Sequence, residues 1–129
     1  MILKIDMEGD IPIYQQIRNQ IVYGVATGHL KAGEKLPTVR QLAGDIGVNP
    51  MTVNKAYTLL KTEGVIVIDR RHGAKISEVP AAHDQLTEDF DKRAVLLISE
   101  ACMGGVSKEQ LKEHLLVMIE NIYGQEELV

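Results

Sequence analysis

Apolar residues recur at helical spacing in five stretches of the chain, and a short β-branched run separates the first three from the last two. Ile13, Ile17, Ile21 and Val25 stand four apart, with Tyr14 and Val22 beside them, so they predict one face of a first helix. Gly9-Asp10-Ile11-Pro12 reads as its start: Asp10 or Ile11 would cap it, and Pro12 suits the first turn, where its missing N–H is not needed. Gly28 would end it, and residues 2–6 before it alternate as an extended segment. After a turn-rich connection to Pro37, Thr38-Val39-Arg40-Gln41 has the form of a capping box, and Val39, Leu42, Ala43 and Ile46 make a short amphipathic helix closed by Gly47. Asn49 then caps a third helix with Pro50 at its first position; Val53, Ala56, Tyr57 and Leu60 form its buried face and Gly64 ends it. Val65 to Ile68, the polar Asp69-Arg70-Arg71-His72-Gly73 and the returning Ala74 to Ser77 predict a β-hairpin with a basic tip. Pro80 to His83 reads as a linker. Phe90, Ala94, Leu97, Ile98 and Ala101 give a fourth stripe, broken at Gly104-Gly105, and a second capping box at Ser107 to Gln110 opens a fifth with Leu111, Leu115, Met118, Ile119 and Ile122.

Two short helices joined by a three-residue turn around Gly47 and followed by a hairpin predict a winged helix-turn-helix. In such units the second helix enters the DNA major groove and reads base edges with its N-terminal residues. With Val53 at the centre of the buried face and steps of about 100° per residue, Met51, Asn54, Lys55 and Thr58 fall outward. Asn suits adenine, Lys suits guanine or phosphate, and the methyl groups of Met or Thr suit thymine. The helix starts at Thr38 and Asn49 are expected to offer free backbone N–H groups to phosphates, and Arg40 lies on the first turn of its helix.

Charge first opposes this reading and then supports it. The 129 residues carry a formal net charge of -4. Residues 1–78, however, hold ten Lys and Arg against eight Asp and Glu, while residues 79–129 hold four against ten. Phosphate binding requires local positive potential rather than a basic whole chain. No apolar run approaches the ~18 residues of a membrane span, and Met1 to Asp6 lacks the pattern of a secretory leader. The single Cys102 suits a reducing compartment. A cytoplasmic location without membrane association is expected.

The segment Gly28-His29-Leu30-Lys31-Ala32-Gly33-Glu34-Lys35-Leu36-Pro37-Thr38-Val39-Arg40-Gln41-Leu42-Ala43 closely resembles the DNA-binding domain of the GntR family of bacterial regulators. Gly47-Val48-Asn49-Pro50-Met51-Thr52-Val53-Asn54-Lys55-Ala56-Tyr57 and Leu60-Lys61-Thr62-Glu63-Gly64 continue the match, which spans about residues 10–78. The Asn-Pro-x-Thr-Val-x-Lys-Ala-Tyr segment and the short tail look most like the YtrA subfamily. The resemblance implies a winged helix-turn-helix followed by a two-helix dimerisation unit, in proteins that commonly repress operons, often those encoding ABC transporters. It also implies DNA contacts at Arg40, at Asn49, Met51, Thr52 and Asn54 of the recognition helix, and at His72 and Gly73 of the wing. Many members have Ser-Arg-x-Thr-Val-Arg where this chain has Asn49-Pro50-Met51-Thr52-Val53-Asn54, so two helix arginines are missing and no operator sequence carries over.

The expected architecture is therefore mainly α with a small sheet. Residues 1–79 form a winged helix-turn-helix DNA-binding domain, and residues 80–129 a two-helix dimerisation region. The tail is too short to enclose a metabolite and still bury its own stripes. A second copy of the same helices is the simplest cover, giving a twofold dimer on inverted half-sites. Phe90, Leu97, Leu111, Leu115, Met118, Ile119 and Ile122 are the candidate dimerisation residues. Thr38, Arg40, Asn49, Met51, Thr52, Asn54, Lys55, Arg70, Arg71, His72 and Gly73 are the candidate DNA-binding residues. The expected partners are double-stranded operator DNA and a second copy, with an unidentified small-molecule effector left open. His29, His72, His83 and His114 have no metal-site spacing, and Cys102 reads as a packing residue. No catalytic set stands out, so neither an enzyme nor a cofactor is expected. The competing reading is a winged helix whose recognition face binds another protein; the basic wing and the capped Asn49 helix weigh against it.

Overall fold

The computed structural model describes residues 3–78 and 86–127. It contains helices α1 (Ile13–Ala26), α2 (Val39–Ile46) and α3 (Pro50–Thr62), strands β1 (Ile66–Asp69) and β2 (Gly73–Ile76), and helices α4 (Glu88–Met103) and α5 (Lys108–Glu127). The chain divides into two compact units, Met1–Ala81 and Ala82–Val129. The expected linker at Pro80 to His83 and the expected boundary between residues 79 and 80 lie outside the described residues.

In the first unit, α3 packs on both α1 and α2 and runs into β1. Its core is the apolar face read from the sequence. Ile17 and Ile21 of α1, Leu42 and Ala43 of α2, and Val53, Ala56, Tyr57 and Leu60 of α3 are buried together with Leu30, Leu36, Ile66, Ala74 and Ile76. Burial of these side chains is the main favourable term holding three short helices together, because helices of this length are marginal on their own. Tyr57 is almost fully buried, and its hydroxyl donates to the Pro37 carbonyl at 2.7 Å. That bond satisfies a buried polar atom and pins the entry of α2 to the middle of α3. Arg18 of α1 closes the other end of α3 with a two-pronged ion pair to Glu63, at 2.9 and 2.6 Å.

The helix ends follow local chemistry. At α2 the capping box forms in full: the Thr38 hydroxyl accepts from the Gln41 N–H and the Gln41 side chain accepts from the Thr38 N–H. Gly47 closes α2 at φ 72°, a left-handed conformation that favours glycine. Asn49 caps α3 by accepting the Met51 N–H at 2.8 Å. The start of α1 differs from expectation. Pro12 is itself the cap residue, and neither Asp10 nor Ile11 caps with a side chain. The buried Gln16 instead ties the preceding segment to the helix, its amide donating to the carbonyls of Ile11 and Asp6 at 2.8 Å and its carbonyl oxygen accepting the Asp6 N–H.

The hairpin pairs Ile66 with Ile76 and Asp69 with Gly73. A feature not read from the sequence lies on the other edge of β2. The Leu36 N–H donates to the Ala74 carbonyl, the Ile76 N–H to the Glu34 carbonyl and the Gly33 N–H to the Ile76 carbonyl. The segment before α2 thus covers the inner edge of the hairpin, which would otherwise carry unpaired backbone groups.

The second unit holds α4 and α5. Thr87 caps α4 by accepting the Phe90 N–H, so the helix begins before the apolar stripe does. Ser107 and Gln110 form the expected capping box at the start of α5. No residue of α4 is buried. Among the described residues, no helix is long and apolar enough to cross a membrane.

The Tyr57 hydroxyl is held neutral by burial, which pushes its pKa from 10.0 up to about 12. The raised value means a stabilising contribution that is whole below pH 10 and fades as pH rises toward 12. Tyr57→Phe should cost about 1 kcal/mol in urea unfolding at neutral pH and flatten the loss of stability between pH 10 and 12. An unchanged midpoint at neutral pH would show that the Pro37 bond contributes nothing.

Candidate nucleic-acid interface

The outward face of α3 is open. Met51, Asn54, Lys55 and Thr58 are exposed while Val53, Ala56 and Tyr57 beneath them are buried, as a helical projection from Val53 requires. Met51, at 78 % exposure, presents nearly its whole thioether side chain to solvent at the head of the helix. Met51, Asn54, Lys55 and Thr58 line one groove with Tyr14 and Gln15 of α1 and with Leu59 and Thr62. Thr52, half-buried, does not line that groove, and neither do Thr38 and Arg40.

Arg40 is exposed on the first turn of α2 and makes no hydrogen bond or ion pair among the described residues. The backbone around it is equally available. Thr38 and Gln41 satisfy each other, which leaves the N–H groups of Val39 and Arg40 without acceptors among the described residues. The start of α3 does not match the expectation of free N–H groups. Pro50 has none, the Met51 N–H is taken by Asn49 Oδ1, and the Thr52 N–H donates to the Asn49 carbonyl at 2.9 Å. The Asn-Pro pair that starts the helix well also closes it to anions, so of the two expected helix starts it is α2, not α3, that presents open N–H groups.

The wing tip is held from inside by Asp69. One carboxylate oxygen accepts the Arg71 N–H at 2.7 Å and the other meets His72 Nδ1 at 3.0 Å. The hydrogen bond to His72, and then that to the Arg71 N–H, hold the Asp69 carboxyl below its ordinary range. Gly73, at φ 70°, lets the chain return into β2 after a three-residue tip. Arg70, Arg71 and His72 are all exposed, so the tip carries two guanidinium groups whose side chains bond to no carboxylate among the described residues. A flexible cation pair on a ribbon fixed at its base suits phosphate contact.

The sequence reading missed Tyr14 and Gln15 as groove residues, because their approach to α3 depends on how α1 packs across it; it also missed Thr62, which lies opposite Val53 on the outward face of α3 and was open to the helical projection. For α4 and α5 it read one stripe per helix. Phe90, Leu97, Leu115, Met118 and Ile119 are exposed, while Leu111 and Ile122 are half-buried. Val95, Leu96, Ile98, Leu116, Val117 and Tyr123 are exposed as well. The runs Ala94 to Ile98 and Leu115 to Ile119 are continuous, so the middle of each helix is apolar on every side. Among the described residues no group of three or more His, Cys, Asp or Glu converges to hold a metal ion.

The family model for bacterial regulatory proteins of the gntR family matches residues 13–76. The chain is 37 % identical over 126 residues to the HTH-type transcriptional repressor YtrA of Bacillus subtilis, with 95 % of each chain covered. Among solved structures, a transcriptional antiterminator from Listeria monocytogenes EGD-e aligns with a TM-score of 0.82 at 30 % identity, covering 95 % of this chain and 93 % of its own. YtrA from Sulfolobus acidocaldarius, a GntR-family transcription factor, aligns with a TM-score of 0.60 at 39 % identity, covering 80 % and 99 %.

The wing geometry gives a titration to measure. A lowered carboxylate pKa means a contribution present above the ordinary 3.8 and lost as pH falls through the folded value. In carboxyl-detected NMR, Asp69 should titrate below 3.8, and His72→Ala should move its midpoint back up. A midpoint that ignores His72→Ala would show that the ring does not hold the carboxylate in solution.

Proposed function

The chain belongs to the GntR family of bacterial regulatory proteins, DNA-binding transcriptional regulators rather than enzymes, and from that premise we propose that it is a cytoplasmic, homodimeric repressor of an inverted-repeat operator. The observation that carries this reading is the combination of an open, capped recognition face with a second unit whose helices are apolar on every side at their middle. Met51, Thr52 and Asn54 contact base edges. Arg40 with the adjoining free N–H groups of α2 and Arg70, Arg71, His72 and Gly73 of the wing contact the backbone or minor groove. Thr38 and Asn49 set the two helix starts, Asn49 by shaping α3 rather than by offering N–H groups. Lys55 adds positive charge on the same face. Local cations on a chain of net charge -4 make binding strongly salt-dependent while the acidic remainder limits indiscriminate association.

Dimerisation follows from the second unit. A helix apolar on one stripe is satisfied by one neighbour; a helix apolar all round requires cover on several sides. Phe90, Leu97, Leu111, Leu115, Met118, Ile119 and Ile122, with Val95, Leu96, Ile98, Leu116 and Val117, form that surface in α4 and α5. A second copy of the same two helices supplies apolar cover of matching length, and the twofold axis sets two reading heads on half-sites ~10 bp or a multiple apart. Repression is supported by the similarity to the Bacillus subtilis repressor YtrA, and an operon such as one encoding an ABC transporter is the target that the YtrA-like sequence suggests. Release by an unidentified small-molecule effector is compatible with this scheme.

Fluorescence anisotropy against the DNA upstream of the chain's own gene, and against a scrambled duplex, tests the reading. Binding should favour the upstream DNA and fall with salt, and Asn54→Ala should weaken it about tenfold through a lost base contact. Sedimentation should give a dimer at micromolar concentration, and Leu97→Glu with Leu116→Glu should yield a folded monomer that binds poorly. Equal weak binding to both duplexes would favour the protein-binding reading of the winged helix, and a monomeric parent chain would remove the dimer.

A further inference from the structure

Lys55 stands on the outward face of α3, yet its ammonium is drawn toward α1. The Nζ atom lies 4.0 Å from the centroid of the Tyr14 ring, within the range where a cation is attracted to an aromatic face. Tyr14 is half-buried and packed against the core, so its ring is a fixed platform, while Lys55 is exposed. Both line the groove that Met51, Asn54 and Thr58 also line. Lys55 forms no ion pair with a carboxylate among the described residues.

We propose that Tyr14 is a positioning residue for DNA binding: it holds the Lys55 ammonium at the α1 side of the groove, where it meets a backbone phosphate and not a base edge. This rests on α3 being the recognition helix. Three physical points lead to it. The ring attracts the charge while leaving at least two of the three N–H donors free, so the ammonium can still bond an anion. A lysine is a compact charge that suits a phosphate without the paired geometry a base edge demands. The side chain is held sideways toward α1, whereas base edges are read from the N-terminal end of a recognition helix, where Met51 and Thr52 stand. Lys55 then contributes affinity without sequence preference, and discrimination falls to Met51, Thr52 and Asn54.

The test is a double-mutant cycle on the full chain, read by anisotropy with the upstream duplex and a scrambled duplex across a salt series. Lys55→Ala should weaken both duplexes by a common factor and lower the slope of log K against log salt by about 0.9, one phosphate contact. Tyr14→Leu should weaken both about threefold without changing their ratio, and should have no further effect when Lys55 is already Ala. Tyr14→Phe, which keeps the ring, should recover most of the binding that Tyr14→Leu loses. In NMR the Lys55 ε-methylene protons should be shifted upfield by the ring in the parent chain, a readout that stands even if Tyr14→Leu fails to fold. The proposal is overturned by equal losses from Tyr14→Leu in both backgrounds, by a Lys55→Ala effect confined to one duplex, or by the absence of the ring shift. A parent chain that binds neither duplex would overturn the recognition-helix reading with it; normal binding with zero coupling would overturn this proposal alone.

Discussion

The hydrogen bond from the buried Tyr57 hydroxyl to the Pro37 carbonyl joins the two halves of the reading head. Three short helices can pack their apolar faces in several slightly different ways at similar cost, since burial has no direction. A directed bond in a low-dielectric core does not permit such slippage, because breaking it strands a buried hydroxyl. Pro37 directly precedes the capping residue of α2. Tyr57 therefore sets where α2 begins relative to α3, and with it where Arg40 and the free N–H groups of Val39 and Arg40 stand beside the recognition face.

The wing depends on the same region. The chain segment from Gly33 to Leu36 leads into Pro37 and at the same time pairs with β2. The ribbon is thus anchored on its inner edge to the strand of chain that Tyr57 holds, and Ile66, Ala74 and Ile76 bury its base in the core. Val67 and Ile68 of β1 and the tip remain exposed, and at the tip Asp69 orders the backbone and leaves Arg70 and Arg71 to solvent. A ribbon buried at its base with exposed cations at its end suits the proposed contact with a phosphate backbone whose local shape varies.

Electrostatics and apolar surface are separated between the two units. The first carries most of the basic side chains and a satisfied core. The second carries most of the acidic residues and an apolar surface that its own two helices leave uncovered. Exposed Leu, Val and Ile at this density favour association, and in the proposed dimer a second copy covers the same surface.

Much of this was legible in the residues themselves. The capping box at Thr38, the left-handed Gly47, the Asn49-Pro50 start and the alternation of Val53, Ala56, Tyr57 and Leu60 are local, since caps and helical faces are set by residues within one turn of each other. The helix-turn-helix and its outward face followed from that. Where the residues are distant in sequence the outcome belonged to the tertiary structure. Lys55 found the ring of Tyr14, Arg18 found Glu63, and Gly33 to Leu36 found β2, because packing α1 across α3 and folding the wing back create neighbours that no local pattern encodes. The closed start of α3 was settled by hydrogen-bond competition: Asn49 takes the N–H groups that an anion would use. The sequence by itself determined the elements and the residues that face outward. Only the folded chain decided which of those outward groups are free and which are already held by another.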